Sequence, residues 1–410
     1  MTTTAPPAPK AASAPTVGRL HFALAVLALA TGGFAIGTTE FVTMGLLPQI
    51  ADGVGVSIPS AGHLISAYAL GVVVGAPALA ALGAKLPRRG LLIGLIAVYG
   101  VFNLLTALVS HFGVLALVRF LDGLPHGAYF GVAALVAADM VAPERRGRAL
   151  ALVMMGIPVA NVIGVPLATL LGQHLGWRAA FAAVAFISLL TMVMILAFVP
   201  RTEGNAEATG RRELAALRHP QLWFALGAGA IGFGGMFALV SYIAPLTTRV
   251  GGLRESAVAV FLLVLGLGMV VGNMLAGRLV DWSVENALRV GTLGLAGSLL
   301  LYFVLAPTGW PALIAAFAAT VTGSMLALGF QVRLIDAAEH AQTLGAALSH
   351  ASLNIGNSLG AFLGGSVIAA GYGFRAPLLV GIALALLGLA VLVVAARARR
   401  TSVPVSSSVR

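Results

Sequence analysis

The sequence predicts an all-α membrane protein with twelve transmembrane helices in two pseudo-symmetric six-helix bundles. Three observations predict this fold class: an apolar composition, twelve long apolar segments and an internal repeat at an offset of 194 to 197 residues. Of the 410 residues, 59% are hydrophobic and 9% are charged, whereas soluble domains carry about 25% charged residues. Because so apolar a chain cannot hide its surface from water, its expected solvent is lipid.

Composition also limits the chemistry. The chain has no cysteine, which excludes disulfides, thiolate nucleophiles and cysteine-ligated metals. It has no Walker loop, no HExxH motif and no nucleophile elbow, so we expect neither an enzyme nor an ATP-driven pump, and no cofactor or metal. The net charge of +11 is interpreted as loop asymmetry across a membrane rather than as nucleic-acid binding.

A spanning helix needs about 20 mainly apolar residues, and continuous rather than alternating apolar runs indicate helices. The predicted helices α1 to α12 cover, in order, 20–47, 58–83, 91–110, 112–139, 147–171, 177–199, 221–248, 254–280, 288–306, 310–337, 343–370 and 376–396.

Basic residues predict the orientation, because cytoplasmic loops are enriched in Lys and Arg. With the N-terminus inside, 19 of the 24 basic residues lie on the inner side, 4 lie outside and Arg119 lies within a span. Both termini are therefore expected in the cytoplasm of a bacterial cell, with the chain crossing the cytoplasmic (inner) membrane many times.

The domain prediction places a disordered tail at 1–19, a first bundle at 20–199, a cytoplasmic linker at 200–220, a second bundle at 221–396 and a tail at 397–410. A repeat supports this division. The matching pairs, at nearly one offset, are Gly83 and Gly277, Pro48 and Pro245, Asn161 and Asn357, and Gly176 and Gly373. Parallel repeats with substrate near their interface are a known transporter architecture.

Glu40 lies inside α1, with no Lys or Arg between Leu20 and Lys85. A carboxylate within a membrane is costly and usually marks an ion or substrate path. The alternative is a carboxyl group near the membrane surface that reaches water.

Helix α4 carries Arg119, Asp122, His126 and Tyr129 at spacings that place all four on one face. Arg119 and Glu40 both lie about 10 Å below the outer boundary, at 1.5 Å per residue. Arg119 could pair with Glu40 or with Asp122, and an Arg–Asp clamp could be purely structural. His126 could titrate near neutral pH or hold a structural hydrogen bond.

Small residues recur at every fourth position of α5 and α11, which permits close helix approach. The pattern marks a static packing surface or one that moves between conformations; the prolines and the recurrence in both halves favour movement. The predicted conformational residues are Gly156, Pro158, Gly164, Pro166, Gly356 and Gly360.

Two further sets are predicted, although each member alone is more often packing or a topology signal. A cytoplasmic gate of ion pairs is expected from Arg88, Asp139, Arg145, Arg146 and Asp281. Substrate contacts are expected from Glu40, Tyr129, Asn161, Phe233, Met236, Phe237, Tyr242, Asn273 and Asn354.

At these residues the sequence resembles the major facilitator superfamily, specifically its twelve-helix drug:proton antiporters. Gly83 to Gly90 is similar to the loop 2–3 motif, although Pro87 replaces the usual acid. Arg119 and Gly123 match the α4 motif that the family links to proton coupling, and Gly156 to Pro166 resembles its α5 antiporter motif. Three further segments resemble the arabinose-type sugar-efflux and chloramphenicol-efflux branch: Gly37 to Phe41, Leu124 to Gly127 and Ala160 to Pro166.

The expected function is proton-coupled efflux of a small neutral or moderately polar molecule by alternating access, with a chloramphenicol-like drug favoured. Proton coupling is expected from Glu40, Asp122, Arg119 and His126, with either acid as the proton site. Alternatives are a sugar or nucleoside exporter, a proton-linked importer of the same fold, or a non-transporting membrane sensor. Expected partners are a small-molecule substrate, protons and the lipid bilayer, with no nucleic acid, and the chain is expected to be a monomer.

Overall fold

The structure, a computed structural model, describes residues 18–83, 86–142, 145–201, 220–338 and 342–402, without the side chains at 80–81, 220, 342–344, 346–347 and 395–402. Twelve helices in this part are long and apolar enough to cross a membrane. In order, α1 to α12 are Arg19–Gly45, Ile58–Gly83, Arg88–Leu108, Phe112–Asp139, Arg146–Leu175, Trp177–Phe198, Pro220–Val240, Ser256–Trp282, Val284–Leu305, Ala312–Ala337, Gln342–Val367 and Ala376–Ser402. The prediction of twelve spanning helices is confirmed. The proposed linker and most of both tails lie outside the described residues.

Short elements extend several of these helices. Leu47–Gly53 follows α1, Ile243–Pro245 and a π-helix at Leu246–Val250 follow α7, a 3-10 turn at Ala306–Thr308 follows α9, and a π-helix at Ile368–Tyr372 follows α11. Pro48 and Pro245, the repeat pair, both lie in the short helices that follow α1 and α7.

The helices pack as two halves. In the N-half α4 packs on α2 and α3, and α6 packs on α1 and α3; in the C-half α7 packs on α11 and α12, and α10 packs on α8 and α9. The halves meet mainly where α2 packs on α11 and α5 packs on α8. The repeat relates α2 to α8 and α5 to α11, so these two contacts are equivalent under exchange of the halves.

The repeat is also visible in local geometry. Gly176 and Gly373 have φ of 89° and 81°, values that favour glycine, and each precedes the helix that ends its half. The arginine two residues later stacks on an aromatic ring in both copies, Arg178 over Trp177 at 4.4 Å and Arg375 over Phe303 at 4.0 Å.

Helix α5 is interrupted near both of its prolines. Regular helix ends at Met154, resumes over Gly156–Val159, widens into a π-helix at Ala160–Gly164 and continues over Val165–Leu175. Proline lacks the N–H that would bond four residues back. Pro158 thus leaves the carbonyl of Met154 without its usual donor, and Pro166 follows the π-turn directly.

The small-residue faces of α5 and α11 point into their own halves. A Cβ added at Gly156 would lie 2.4 Å from the Ala30 carbonyl oxygen of α1, and one at Gly360 would lie 2.4 Å from the Gly234 oxygen of α7. Gly164 and Gly356 make similarly close approaches to α1 and α7. These four glycines pack α5 on α1 and α11 on α7 within each half, and the surface of α5 that faces the other half is formed around Asn161.

The halves are joined at the end of the bundle opposite the chain termini, called here the distal end. Gln49 Nε2 donates to Glu255 Oε2 at 3.0 Å, and Gln173 Nε2 donates to the Glu255 carbonyl at 2.8 Å. Tyr242, which lies just after α7, reaches across to α2, where a Cβ at Gly62 would lie 2.4 Å from the tyrosine hydroxyl. The charge distribution predicts that this end faces outside.

Towards the termini the same helix faces separate. On α2, Ser66 donates to the carbonyl of Ser358 at 3.1 Å, but Leu70 and Val74, further along that face, are 47% and 50% exposed. On α8, Gly266 contacts Asn161, and Asn273, two turns later on that face, is exposed. The path between the halves is therefore closed at the distal end and open towards the termini.

Candidate functional site

The centre of the N-half holds a buried ion pair. Arg119 and Asp122, one turn apart on α4, approach to 2.5 Å, with 1% and 0% of their side chains exposed. The guanidinium also lies over the rings of Tyr68 at 4.4 Å and Phe181 at 5.4 Å. Its Nε has no hydrogen-bonded partner among the described residues. Such a pair is held against a large desolvation penalty, so losing either charge leaves the other poorly compensated.

Three polar side chains from neighbouring helices complete the shell of this pair. Asn103 of α3 donates from Nδ2 to Asp122 Oδ1 at 2.9 Å, and its Oδ1 accepts a 2.7 Å bond from Thr39 of α1. Thr43, one turn along α1, accepts a 3.4 Å contact from Arg119. The charged pair of α4 is thus tied to α1, the helix that carries Glu40.

His126 belongs to a second chain of hydrogen bonds. Its Nδ1 lies 2.9 Å from the Tyr68 hydroxyl, which lies 3.3 Å from the Tyr99 hydroxyl. Tyr99 in turn donates to the carbonyl of Ile36 on α1 at 3.3 Å. The ring also faces His350 of α11 closely enough for an electrostatic interaction. His126 therefore lies between the α4 network and the C-half.

Glu40 lies where α1 meets the C-half. It is 8% exposed, and no ion pair of 4.0 Å or less joins it to Arg119 among the described residues. Arg119 acts on it electrostatically, and Asn357 of α11 lies beside its carboxyl group. Of the two predicted pairings of Arg119, direct contact is made with Asp122, and Glu40 instead faces an amide across the interface.

An aromatic contact crosses the halves next to Glu40. The rings of Phe41 and Phe237 stack with centroids 6.2 Å apart, and Phe233 packs edge-on to Phe237 at 5.3 Å. A void of about 10 Å³ lined by Phe41, Asn161 and Met269 lies between α1, α5, α7 and α8. That volume holds about one water molecule, so the apolar walls meet closely in this conformation.

The other predicted substrate residues lie in different surroundings. Tyr129 donates to the Leu29 carbonyl of α1 at 3.0 Å within the N-half, and Met236 packs against Gly323 of α10. Tyr242 donates to the Ala361 carbonyl at 2.6 Å in the distal closure. Asn161 makes a 3.3 Å contact with Met269 of α8. Asn273 is exposed further along α8, towards the end of the bundle that carries the chain termini.

The predicted gate residues are only partly brought together. Arg88 and Asp139 form an exposed ion pair, but both belong to the N-half. Arg145, Arg146 and Asp281 are exposed and form no ion pair within the part of the chain described. None of the ion pairs among the described residues joins the two halves at this end, which agrees with the open path there.

Sequence reasoning missed several members of this site. Tyr68, Tyr99 and Thr43 are ordinary residues in apolar spans, and no pattern along the chain shows which helix they face. Asn103 and Asn357 stand out as amides within apolar helices, and the cost of burying an unbonded amide was the signal available. Glu255 is a loop residue whose partners come from 206 and 82 positions away.

The arrangement holds two carboxyl groups and one guanidinium inside a spanning bundle, with Glu40 at the contact between its halves. The described residues contain no group of three or more His, Cys, Asp or Glu side chains that could hold a metal ion. Two six-helix halves, closed at one end around a buried charge network, define a multi-pass membrane transporter.

The chain belongs to the Major Facilitator Superfamily, whose model matches residues 29–349. It is 39% identical over 383 residues to the inner membrane transport protein YdhP of Escherichia coli K12, covering 93% of this chain and 98% of that protein. A chloramphenicol resistance protein of Streptomyces lividans is 36% identical over 367 residues, covering 85% and 90%.

Among solved structures, a bacterial homologue of the human lysosomal transporter Spinster, in an inward-facing and occupied conformation, matches with a TM-score of 0.74 at 18% identity, over 93% of this chain and 98% of that one. This likeness confirms the predicted fold. Members of this family are transporters rather than enzymes.

Proposed function

We propose that the protein is a drug:proton antiporter that exports a small neutral or moderately polar molecule, with a chloramphenicol-like drug favoured, by alternating access. The observation that carries the proposal is the Arg119–Asp122 pair, two charges fully withdrawn from water in a spanning bundle. Intramembrane ionisable groups mark ion and substrate paths by default. The relative that confers chloramphenicol resistance supports the choice of substrate.

Protonation of a buried acid is coupled to conformation through Arg119. A proton bound by Asp122 neutralises the counter-ion in contact with the guanidinium, which keeps its charge because arginine does not lose its proton in proteins. An uncompensated buried cation is costly, so the free energy falls if Arg119 moves towards the nearby Glu40 or gains water. Because Glu40 is on α1 at the interface, such a movement alters the contact between the halves.

Glu40 is the second candidate for the proton. Its carboxyl group is at the interface and is the more exposed of the two acids, with 8% against 0%. Protonation there removes a negative charge facing Asn357 and Arg119. The two acids share one guanidinium, so they bind protons as a coupled pair.

The conformational step follows from where the halves touch. The distal contacts of Gln49 and Gln173 with Glu255 close the predicted outer end, so substrate enters from the cytoplasm or the inner leaflet. If these contacts separated and the two halves came together at the end that carries the chain termini, the same site would open to the outside. Arg145, Arg146 and Asp281, which form no ion pair among the described residues, would then contribute to closure of the cytoplasmic end.

Transport by inverted membrane vesicles tests the proposal. Vesicles from a strain lacking its own pumps are energised, and accumulation of radiolabelled chloramphenicol is followed with and without a proton uncoupler. We expect uphill accumulation that the uncoupler abolishes, and loss of uphill accumulation in Asp122→Asn or Glu40→Gln. Glu285→Gln removes an acid from an exposed pair, 62% accessible, and is expected to transport normally.

Two results would contradict the proposal. One is uncoupler-sensitive accumulation that survives in both acid variants. The other is accumulation only in right-side-out vesicles, which would show import.

A further inference from the structure

Helix α11 presents a row of polar side chains to the N-half. His350, Asn354 and Asn357 follow one another at spacings of four and three residues, so they share one face. His350 lies near His126 of α4, and Asn357 lies beside Glu40 of α1. This polar face opposes the charged network of the N-half across the interface.

The amides of this face are buried without sufficient partners. Asn357 is 1% exposed and Asn354 is 5% exposed. Neither Nδ2 nor Oδ1 of Asn357 makes a hydrogen bond of normal geometry, although the amide faces Glu40. Asn354 donates to the His350 carbonyl at 3.1 Å, but its Oδ1 has no hydrogen-bonded partner among the described residues.

An unbonded buried amide is unfavourable for folding, because its lost bonds to water are not replaced. Most buried polar atoms in proteins are bonded, and exceptions call for an explanation. A leucine would fill the space of Asn357 without that cost. The position therefore carries a polar group that packing does not require.

We propose that Asn357, with Asn354 and Glu40, forms a subsite that hydrogen-bonds a neutral amide or hydroxyl group of the transported molecule. An asparagine amide offers two donors and an acceptor oxygen, and the free atoms here include both kinds. The matching ligand group must accept and donate at once, as amides and hydroxyls do. This assignment rests on the proposed function only in taking the bound molecule as the transported one.

The amides favour a neutral ligand over a cation. Asn354 and Asn357 carry no charge, and their donor and acceptor atoms match an uncharged polar group. The stacked rings of Phe41 and Phe237 supply an adjacent apolar wall. The substrate class is thus an uncharged molecule with an apolar body and an amide or hydroxyl group.

Equilibrium binding to purified protein in lipid nanodiscs, without a proton gradient, tests this assignment. The probes are chloramphenicol, a neutral amide diol, L-arabinose, a neutral polyol, and tetraphenylphosphonium, an apolar cation. We expect wild-type protein to bind at least one neutral probe in preference to the cation. Asn357→Leu should weaken that binding about tenfold or more, because the polar group of the ligand would then be buried without its hydrogen-bond partner.

Two further variants separate binding from packing. Asn357→Gln keeps the amide and should retain more affinity than the leucine variant. Ser366→Ala, on the same helix, removes a hydroxyl that bonds only to its own helix at Phe362, and should bind as wild type does. Asn357→Leu should also unfold at a higher temperature than wild type, since it removes the unbonded amide.

The assignment is overturned if the cation binds and the neutral probes do not, if no neutral probe binds, or if Asn357→Leu binds as wild type does. It is also overturned if Asn357→Leu unfolds at a lower temperature while Asn357→Gln is unaffected in stability, because the amide is then structural. The binding assay uses no gradient, so failure of proton coupling leaves its result unchanged.

Discussion

Asp122→Leu removes the counter-ion of a fully buried arginine. Arg119 has one contacting carboxylate at 2.5 Å, one long contact to Thr43 at 3.4 Å and an unbonded Nε. Removing one partner of such a pair costs about 3–5 kcal/mol of folding free energy. Stacking on Tyr68 and attraction to Glu40 offset part of that loss, so we expect a value near the lower end.

The double variant provides the comparison. Arg119→Met/Asp122→Leu removes both charges and replaces them with apolar groups, a change that is often neutral or stabilising by about 1–4 kcal/mol for buried pairs. The double variant is therefore expected to be more stable than Asp122→Leu alone. Reversible unfolding of purified protein in mixed micelles, followed by circular dichroism, measures all four members of the cycle.

The exposed pair of Arg289 and Glu285 on α9 is the matched control. Its side chains are 59% and 62% exposed, and exposed pairs contribute about 0–1 kcal/mol. Two results would contradict this account: a loss of unfolding free energy in Asp122→Leu no larger than in Glu285→Leu, or a double variant less stable than both single variants. Arg119 and Asp122 would then not behave as a desolvated charge pair, and Arg119 could not couple protonation to conformation as proposed.

Three smaller changes give further tests. Gly156→Val places a Cβ 2.4 Å from a backbone oxygen of α1 and should lower the free energy of unfolding by about 1–3 kcal/mol. Gly94 has open space around it, so Gly94→Ala should raise the free energy of unfolding by about 0.5–1 kcal/mol in the same assay. Glu255→Ala removes the side-chain bond to Gln49 at the distal end. A cysteine introduced elsewhere at the distal end should then react faster with an impermeant maleimide than the same cysteine does when Glu255 is kept; an unchanged rate would contradict the closure. Tyr242→Phe removes a 2.6 Å bond and should cost about 0.5–1.5 kcal/mol, with no loss expected if that hydroxyl is bonded to water instead.

The scaffold is well predicted from the chain because lipid imposes simple rules. A bilayer sets the length of a span and requires internally bonded backbone, so twelve helices follow from hydropathy alone. The pairing of Arg119 with Asp122 is local, at a separation of three residues, and was among the predicted alternatives. The breaks in α5 follow from Pro158 and Pro166.

Contacts between helices are less accessible from the chain. A small-residue pattern predicts close approach but not the partner helix, and here the small-residue face of α5 packs on α1 while another face of the helix contacts the other half. The partners of Glu40 and Asn103 depend on helix rotation, which no periodicity along one helix specifies. Asn273 is exposed because its face of α8 is not covered by the N-half at that level, which the sequence of α8 alone does not specify.

Proton release measures the coupling between substrate and proton at the buried acids. Purified protein in weakly buffered solution receives saturating substrate while a pH dye reports the bulk proton concentration. Wild-type protein should release protons when it binds substrate. The release should be lost in the variant that lacks the proton-binding acid, either Asp122→Asn or Glu40→Gln. Ser366→Ala should release protons as wild type does. Substrate binding by wild-type protein with no change in bulk pH would contradict antiport at this site.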